Sequence, residues 1–415
     1  MSVLEVLDMK RVIVIGGGPS GIVSAIFAKR NNNEVIVLEK NSTPLKKLLM
    51  TGNGKCNYLN EYYDENCYHT MNKDYISKII TSNNIQDVLS FFDKMGIIPK
   101  IKNGYYYPFS NQASTIQKAL IWEAEQCGVI IEKNQCVKKI EKKDNTFMIS
   151  TEEKIWTADY IVLACGSKAY PKTGSDGAGY DFLERFHHTI IKPLPALVQL
   201  IGKGKYYKEW DGVRCDAVLD LYEDELLIAS EKGELQLTDY GISGICTFNL
   251  SHFVTRGLDL HKKEIIKINF VPFIKEDISN WIDNYSRKNS NKTIKGLLEG
   301  FLNYKLVSVI LSVCHIKENS YFKELSQEEK DVLINHLKSF PVEIVSTKDF
   351  SSCQICNGGV KLNEINPNTM ESFIVPNLYV VGELLDLNGN CGGYNLTLCW
   401  ISGMLAGKNI GDRND

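Results

Sequence analysis

The chain has 415 residues, 44% of them hydrophobic and 23% charged, with a formal net charge of -3. This balance is ordinary for a soluble globular protein and carries no global basic signature for nucleic acid. No apolar run approaches the roughly 20 residues that a membrane-spanning helix needs, and twelve scattered cysteines form no disulfide framework, which points to reduced thiols in a cytoplasmic protein.

The N-terminal stretch "MSVLEVLDMK" lacks the basic start and sustained apolar core of a secretory signal. "RVIVI", residues 11–15, then reads as a buried parallel strand. Directly after it, Gly16, Gly18 and Gly21 satisfy G-x-G-x-x-G, and "IVSAIFAKR" follows as a helix. "EVIVLE" is a second strand that ends in Glu39. Each part has a mechanical reason. Gly16 permits the tight turn, Gly18 lets backbone approach a pyrophosphate, and Gly21 allows close helix–strand packing. Free amides and the dipole at the helix N-terminus stabilise phosphate charge, and the acid receives a ribose hydroxyl. A carboxylate there repels a 2′-phosphate, so the site favours FAD or NAD over NADP.

"LLMTGNGKCN", residues 48–57, is too polar and glycine-rich for a strand, and its glycines break a helix. It holds Lys55 beside Cys56, and its own composition leaves open whether it is a plain turn or a ligand loop. Further on, "YIVLA" reads as an apolar strand running into a small-residue turn at Cys165, Gly166 and Ser167. "KPLPALVQL", residues 192–200, carries two prolines and marks a crossing point between domains. Alternating runs such as "AVLDLYEDELLIAS" and "KINFVPF" suit a β-barrel over about 191–272. "DISNWIDNYSRK", "IKGLLEGFLNYKLVSVIL" and "SQEEKDVLINHLKSF" have helical spacing, so 273–344 is expected to be helical.

Residues 345–415 would return to the first domain, opened by residues 1–190. There "NLYVVGELLD" reads as a strand ending at Gly382 and Glu383, and a glycine turn leads into a helix beginning about Tyr394. That helix end would favour negative charge on a reduced flavin. Cys353 and Cys356 form a lone C-x-x-C without the second ligand pair that zinc requires, so no metal is expected. His187 and His188 read as a solvated helix end. His252 and His315 have no partner pattern.

Taken together, "VIVIGGGPSG", "KKLLMTGNGKCN", "GELQLTDYGISG", "NGGVKLNEINPNTMESFIVPNLYVVGELLD" and "GNCGGYNLTLCWISG" resemble the HI0933-like flavoproteins, also called the BaiN or aminoacetone-oxidase family. The resemblance covers nearly the whole chain. It implies an α/β fold: a split Rossmann-type FAD-binding domain with an inserted β-barrel and helical subdomain. It places Gly16, Gly18 and Gly21 on the pyrophosphate, Glu39 on the adenosine ribose, and Val137 against adenine through its backbone. Lys47, Thr51, Gly52 and Asn53 fall in the flavin-facing loop, with Ala164 and Gly166 beside the cofactor and Gly382, Glu383, Asn395 and Leu396 closing the site.

Cys56, Tyr394 and Tyr105 to Tyr107 are the protonatable groups nearest these motifs, and Cys56 and Tyr394 are the catalytic candidates. Lys55 would lower the thiol pKa of Cys56 if both groups point the same way. Otherwise Cys56 donates a proton as a neutral thiol or simply packs. No second complete G-x-G-x-x-G occurs, so NAD(P)H is expected to dock transiently rather than in its own domain.

The family resemblance implies an NAD(P)H-driven reductase of an activated C=C bond, in a small enone such as a 3-oxo-Δ4 bile-acid intermediate. It also implies reduction of uridine in 23S rRNA, or oxidation of aminoacetone to methylglyoxal, ammonia and hydrogen peroxide. A non-enzymatic flavin-binding sensor is a further alternative. The slightly acidic charge favours a small-molecule substrate over rRNA.

Overall fold

A computed structural model describes residues 9–411, so most of "MSVLEVLDMK", the stretch without the features of a secretory signal, lies outside the described residues. The chain divides into two compact units. One runs to Leu194 and resumes at Gln354, and the other is Pro195–Cys353.

The first unit is built on a five-stranded parallel sheet. Strand β1 (Arg11–Ile15) lies beside β2 (Glu34–Glu39) on one side and Tyr160–Leu163 on the other. Ile130–Lys133 and Leu378–Val380 form the edges. Val12 to Ile15 are all buried, as expected of a strand covered on both faces. Helix α1 (Pro19–Arg30) crosses from β1 to β2 and is buried on most sides, from Ser20 to Ala28.

Two close approaches explain its glycines. A Cβ on Gly21 would lie 2.0 Å from the Gly16 carbonyl oxygen, and one on Gly16 would lie 2.4 Å from that of Ala164. The C-terminal helix (Tyr394–Asn409) packs on α1 through Gly403 and Gly407, one turn apart. Their added Cβ atoms would fall 2.6 Å from Ser20 O and 2.5 Å from Ser24 O. Small residues at this spacing let the helix backbones touch, a signal not read from the sequence.

The second unit holds a closed barrel with strands in the order Leu200–Gly202, Gly241–Gly244, Leu226–Thr238, Arg214–Glu223, Glu264–Asn269 and Phe340–Thr347. Alternate residues such as Leu219, Leu221, Ile266 and Ile268 are buried, the two-residue period of a strand with one face in the core. Helix Ile245–Asp259 packs against it through Cys246, Leu250 and Val254.

Four helices, Ile278–Lys288, Ile294–Leu298, Tyr304–Val313 and Gln327–Lys338, lie between the last two barrel strands. The barrel is therefore not complete by residue 272. Phe340–Thr347 pairs with both Glu264–Asn269 and Leu200–Gly202 and closes it after the helices. All twelve cysteines are free thiols. No group of three or more metal-ligating side chains occurs among the described residues.

Candidate functional site

The site begins at the N-terminus of α1. Gly18 caps the helix without any side-chain bond, and the amide of Ile22 is bonded to Gly18 O at 3.0 Å. Pro19 has no amide, so those of Ser20 and Gly21 face beyond the helix end. A Cβ built on Gly18 meets nothing within 4 Å, leaving open space over this backbone. Glu39, at the end of β2, is buried. Its Oε2 accepts from Gly17 N at 2.8 Å, while Oε1 accepts from the backbone and side-chain nitrogens of Asn41 at 2.7 and 2.8 Å. Gln135 N donates to Glu39 O, which brings the segment carrying buried Val137 beside the same acid.

The loop "LLMTGNGKCN" forms two short helical turns broken at Thr51–Asn53. Gly52 and Asn53 adopt φ of 55° and 53° there. Thr51 turns its hydroxyl inward to Leu48 O at 2.7 Å. At the start of the loop, Lys47 Nζ donates to Glu383 Oε2 at 2.6 Å. Ser167 Oγ donates to the same oxygen at 2.8 Å.

Three distant segments thus meet on one carboxylate. No described residue is bonded to its other oxygen. Ser167 follows Gly166 in the turn after Tyr160–Leu163, and Gly382 orients Glu383 by bonding its amide to Ser402 Oγ at 3.0 Å. Ser167 was not among the site residues read from the sequence. A serine in a small-residue turn has no spacing signature.

Gly393 caps the C-terminal helix, again without a side-chain bond. Thr397 N bonds back to Gly393 O at 2.9 Å, so the amides of Tyr394, Asn395 and Leu396 lie in the open first turn. The Asn395 side chain is already engaged. It accepts from Gly389 N at 2.8 Å and donates to Gly389 O at 2.7 Å, which fixes the side chain against Gly389.

Tyr394 is nearly buried and packs edge-on to Tyr68, with ring centroids 5.6 Å apart. Burial, followed by a hydrogen bond with Cys67, raises its phenol well above the usual value, so it stays protonated.

Cys56 lies elsewhere than its neighbour Lys55 suggests. It has no accessible surface, whereas Lys55 is exposed. Burial pushes the thiol up to about 12, against a smaller lowering by a bond with Thr51. The thiol is therefore neutral, and a lowering by Lys55 is not realised. Among the tyrosines of "GYYYP", Tyr106 packs edge-on to Tyr58 at 6.1 Å. His188 is buried rather than solvated, with Nε2 2.9 Å from Ser372 Oγ, while His187 is exposed.

The residues fit FAD on several counts. Open space covers the Gly18 backbone, a buried acid closes β2, and two helix N-termini carry no side-chain cap. Lys47 and Ser167 engage the same oxygen of Glu383. Fold and site define a flavin-dependent oxidoreductase of the Rossmann type.

Residues 10–409 match the HI0933-like protein Rossmann domain, and the chain belongs to this family. It is 36% identical over 408 residues to the 3-dehydro-bile acid delta(4,6)-reductase of Clostridium scindens, covering 98% of this chain and 100% of that one. It is 25% identical over 403 residues to the ribosomal RNA dihydrouridine synthase of Escherichia coli, covering 96% and 97%. The enzyme of that name from Haemophilus influenzae is 24% identical over 396 residues, covering 94% and 96%.

Proposed function

We propose that this chain uses electrons from NADH or NADPH to saturate an activated carbon–carbon double bond in a small enone of the 3-oxo-Δ4 bile-acid kind, in the cytoplasm. The observation that carries this reading is the 36% identity to a reductase of that substrate class over the full length of both chains.

Bound FAD supplies hydride transfer to and from carbon. The chain's own residues hold and bias it. When FAD is bound, the amides of Ser20 and Gly21, with the α1 dipole, would hold the pyrophosphate, and Gly18 would leave room for it. Glu39 would receive the adenosine ribose and Val137 the adenine through its backbone, with Ala164 and Gly166 beside the cofactor. Glu383, held by Lys47 and Ser167, would accept from the ribityl chain. The loop from Thr51 to Asn53 would face the flavin, and the amides of Tyr394 to Leu396 would favour negative charge there.

Protonation of the second carbon needs a group that still carries its proton at neutral pH. We place that role on the Tyr394 phenol, which carries its proton at neutral pH and stands at the start of the C-terminal helix. Cys56 has a protonated thiol but no surface, and we assign it to packing beneath the loop.

Anaerobic mixing of the yellow protein with NADH, then NADPH, tests the reading. Rapid bleaching, followed by recolouring when a 3-oxo-Δ4 steroid acid is added, is expected. No bleaching with either nucleotide, alongside bleaching by aminoacetone, would reject it in favour of the oxidase. The likeness to two rRNA dihydrouridine synthases supports a second reading, reduction of uridine in rRNA. That enzyme would bind rRNA with an affinity that falls steeply as salt rises. A small-enone reductase would show no such dependence.

A further inference from the structure

Gly392 opens the turn into the C-terminal helix and is gripped from two sides. Its carbonyl accepts from Asn60 Nδ2 at 2.8 Å. Its α-carbon faces the Tyr105 ring so closely that a Cβ at 392 would sit 2.9 Å from a ring carbon. Asn60 and Tyr105 are themselves directly opposite each other in the antiparallel pairing of Leu59–Asn60 with Tyr105–Pro108. The next residue, Gly393, rests against the other strand of this pair, Leu59–Asn60, where a Cβ would fall 2.9 Å from Leu59 O. Tyr107 shares a strand face with Tyr105 and approaches Gly52, 3.5 Å by the same measure. A single short strand therefore touches both the loop after Lys47 and the glycine turn before the C-terminal helix.

Gly392 and Gly393, at φ of 129° and 95°, have no side chains with which to fix their own direction. Glycine loses more conformational freedom on folding than any other residue, so the turn's geometry has to be imposed by its neighbours. Charge stabilisation by a helix end also fades within its first turn, which makes it sensitive to small rotations. We infer that Asn60 and Tyr105 are positioning residues that aim the first amides of the C-terminal helix at the flavin. The inference rests on that helix end being the flavin-facing one.

The test is reductive titration of the purified holoenzyme with dithionite against a reference dye. Y105A and N60A are each expected to shift the oxidised–reduced equilibrium about tenfold toward oxidised flavin, about 30 mV for a two-electron couple. FAD content should stay near that of the native protein, because the phosphate contacts at α1 are untouched. Y105F keeps the ring and should restore the native potential. The double variant should move little further than either single one, since both residues hold one turn.

An unchanged potential in Y105A with full FAD content overturns the inference. So does a Y105F shift as large as that of Y105A, which would assign the effect to the hydroxyl. If Y105A does not accumulate as folded protein, N60A decides by the same criterion. Dithionite replaces the physiological donor, so the outcome stands apart from whether NAD(P)H and a small enone are the natural partners.

Discussion

Lys47 and Glu383 lie 336 positions apart in the chain and meet at 2.6 Å. Each side chain keeps only about a fifth of its surface exposed, so neither charge is fully compensated by water if the other is removed. Truncating Lys47 (K47M) is expected to weaken FAD binding about tenfold, and E383Q should do the same. The losses should be strongly non-additive in the double variant, because one contact is removed twice. Fluorescence titration of apoprotein with FAD measures this. Losses that simply add would mean that the two side chains act on the cofactor independently.

The strand–glycine–helix–strand–acid unit of residues 11–39 was legible in the sequence because every link in it is local. Lys47 and Glu383 were each marked there, but their pairing was not, since nothing in short-range pattern encodes which distant turns come together. The same limit hid Ser167. Cys56 misled for a different reason. Adjacency to Lys55 along the chain implies shared surroundings only if both side chains point one way, and the left-handed backbone at Cys56, with φ of 60°, turns it inward. The barrel strand at 340–347 was masked by the helical pattern running directly into it.

Gly18 and Gly21 separate binding from folding. A methyl group on Gly18 meets no protein atom within 4 Å, and the residue has an ordinary extended backbone with φ of -77°. G18A apoprotein should unfold within about 1 °C of the native apoprotein, yet bind FAD at least tenfold more weakly, because the methyl group occupies the approach to the phosphates. G21A places its methyl group 2.0 Å from Gly16 O, a backbone atom, so it should destabilise the apoprotein itself. Thermal unfolding of both apoproteins and FAD titration of G18A check this. Full FAD affinity in G18A would remove the pyrophosphate from this helix end.

For Cys56, loss of the buried sulfur in C56A leaves a small cavity and should cost roughly 1 kcal/mol. Turnover per bound flavin should stay within about twofold of native. A fall of more than tenfold with normal FAD content would return the thiol to the chemistry.

Glu264 carries the clearest pH dependence in the second unit. It is 1% exposed, and neither carboxylate oxygen has a hydrogen-bond partner. A Cβ on Gly257 would collide with its Oε1 and lie 3.0 Å from Glu223 Oε2, so the two acids converge over one point of helix Ile245–Asp259. Burial first, then the charges of Glu223 and Asp224, raise the carboxyl to about 7, with Lys262 opposing. In the unfolded chain the group ionises near 4.5, while in the fold it keeps its proton to about 7. Stability should therefore fall as pH rises from about 4.5 to 7 and then level off, by up to about 3 kcal/mol. E264Q removes the ionisation. It should match the native protein at pH 4.5 and exceed it by up to about 3 kcal/mol at pH 8. Chemical denaturation at the two pH values measures the difference, and an equal effect of E264Q at both would show that Glu264 does not titrate in this window.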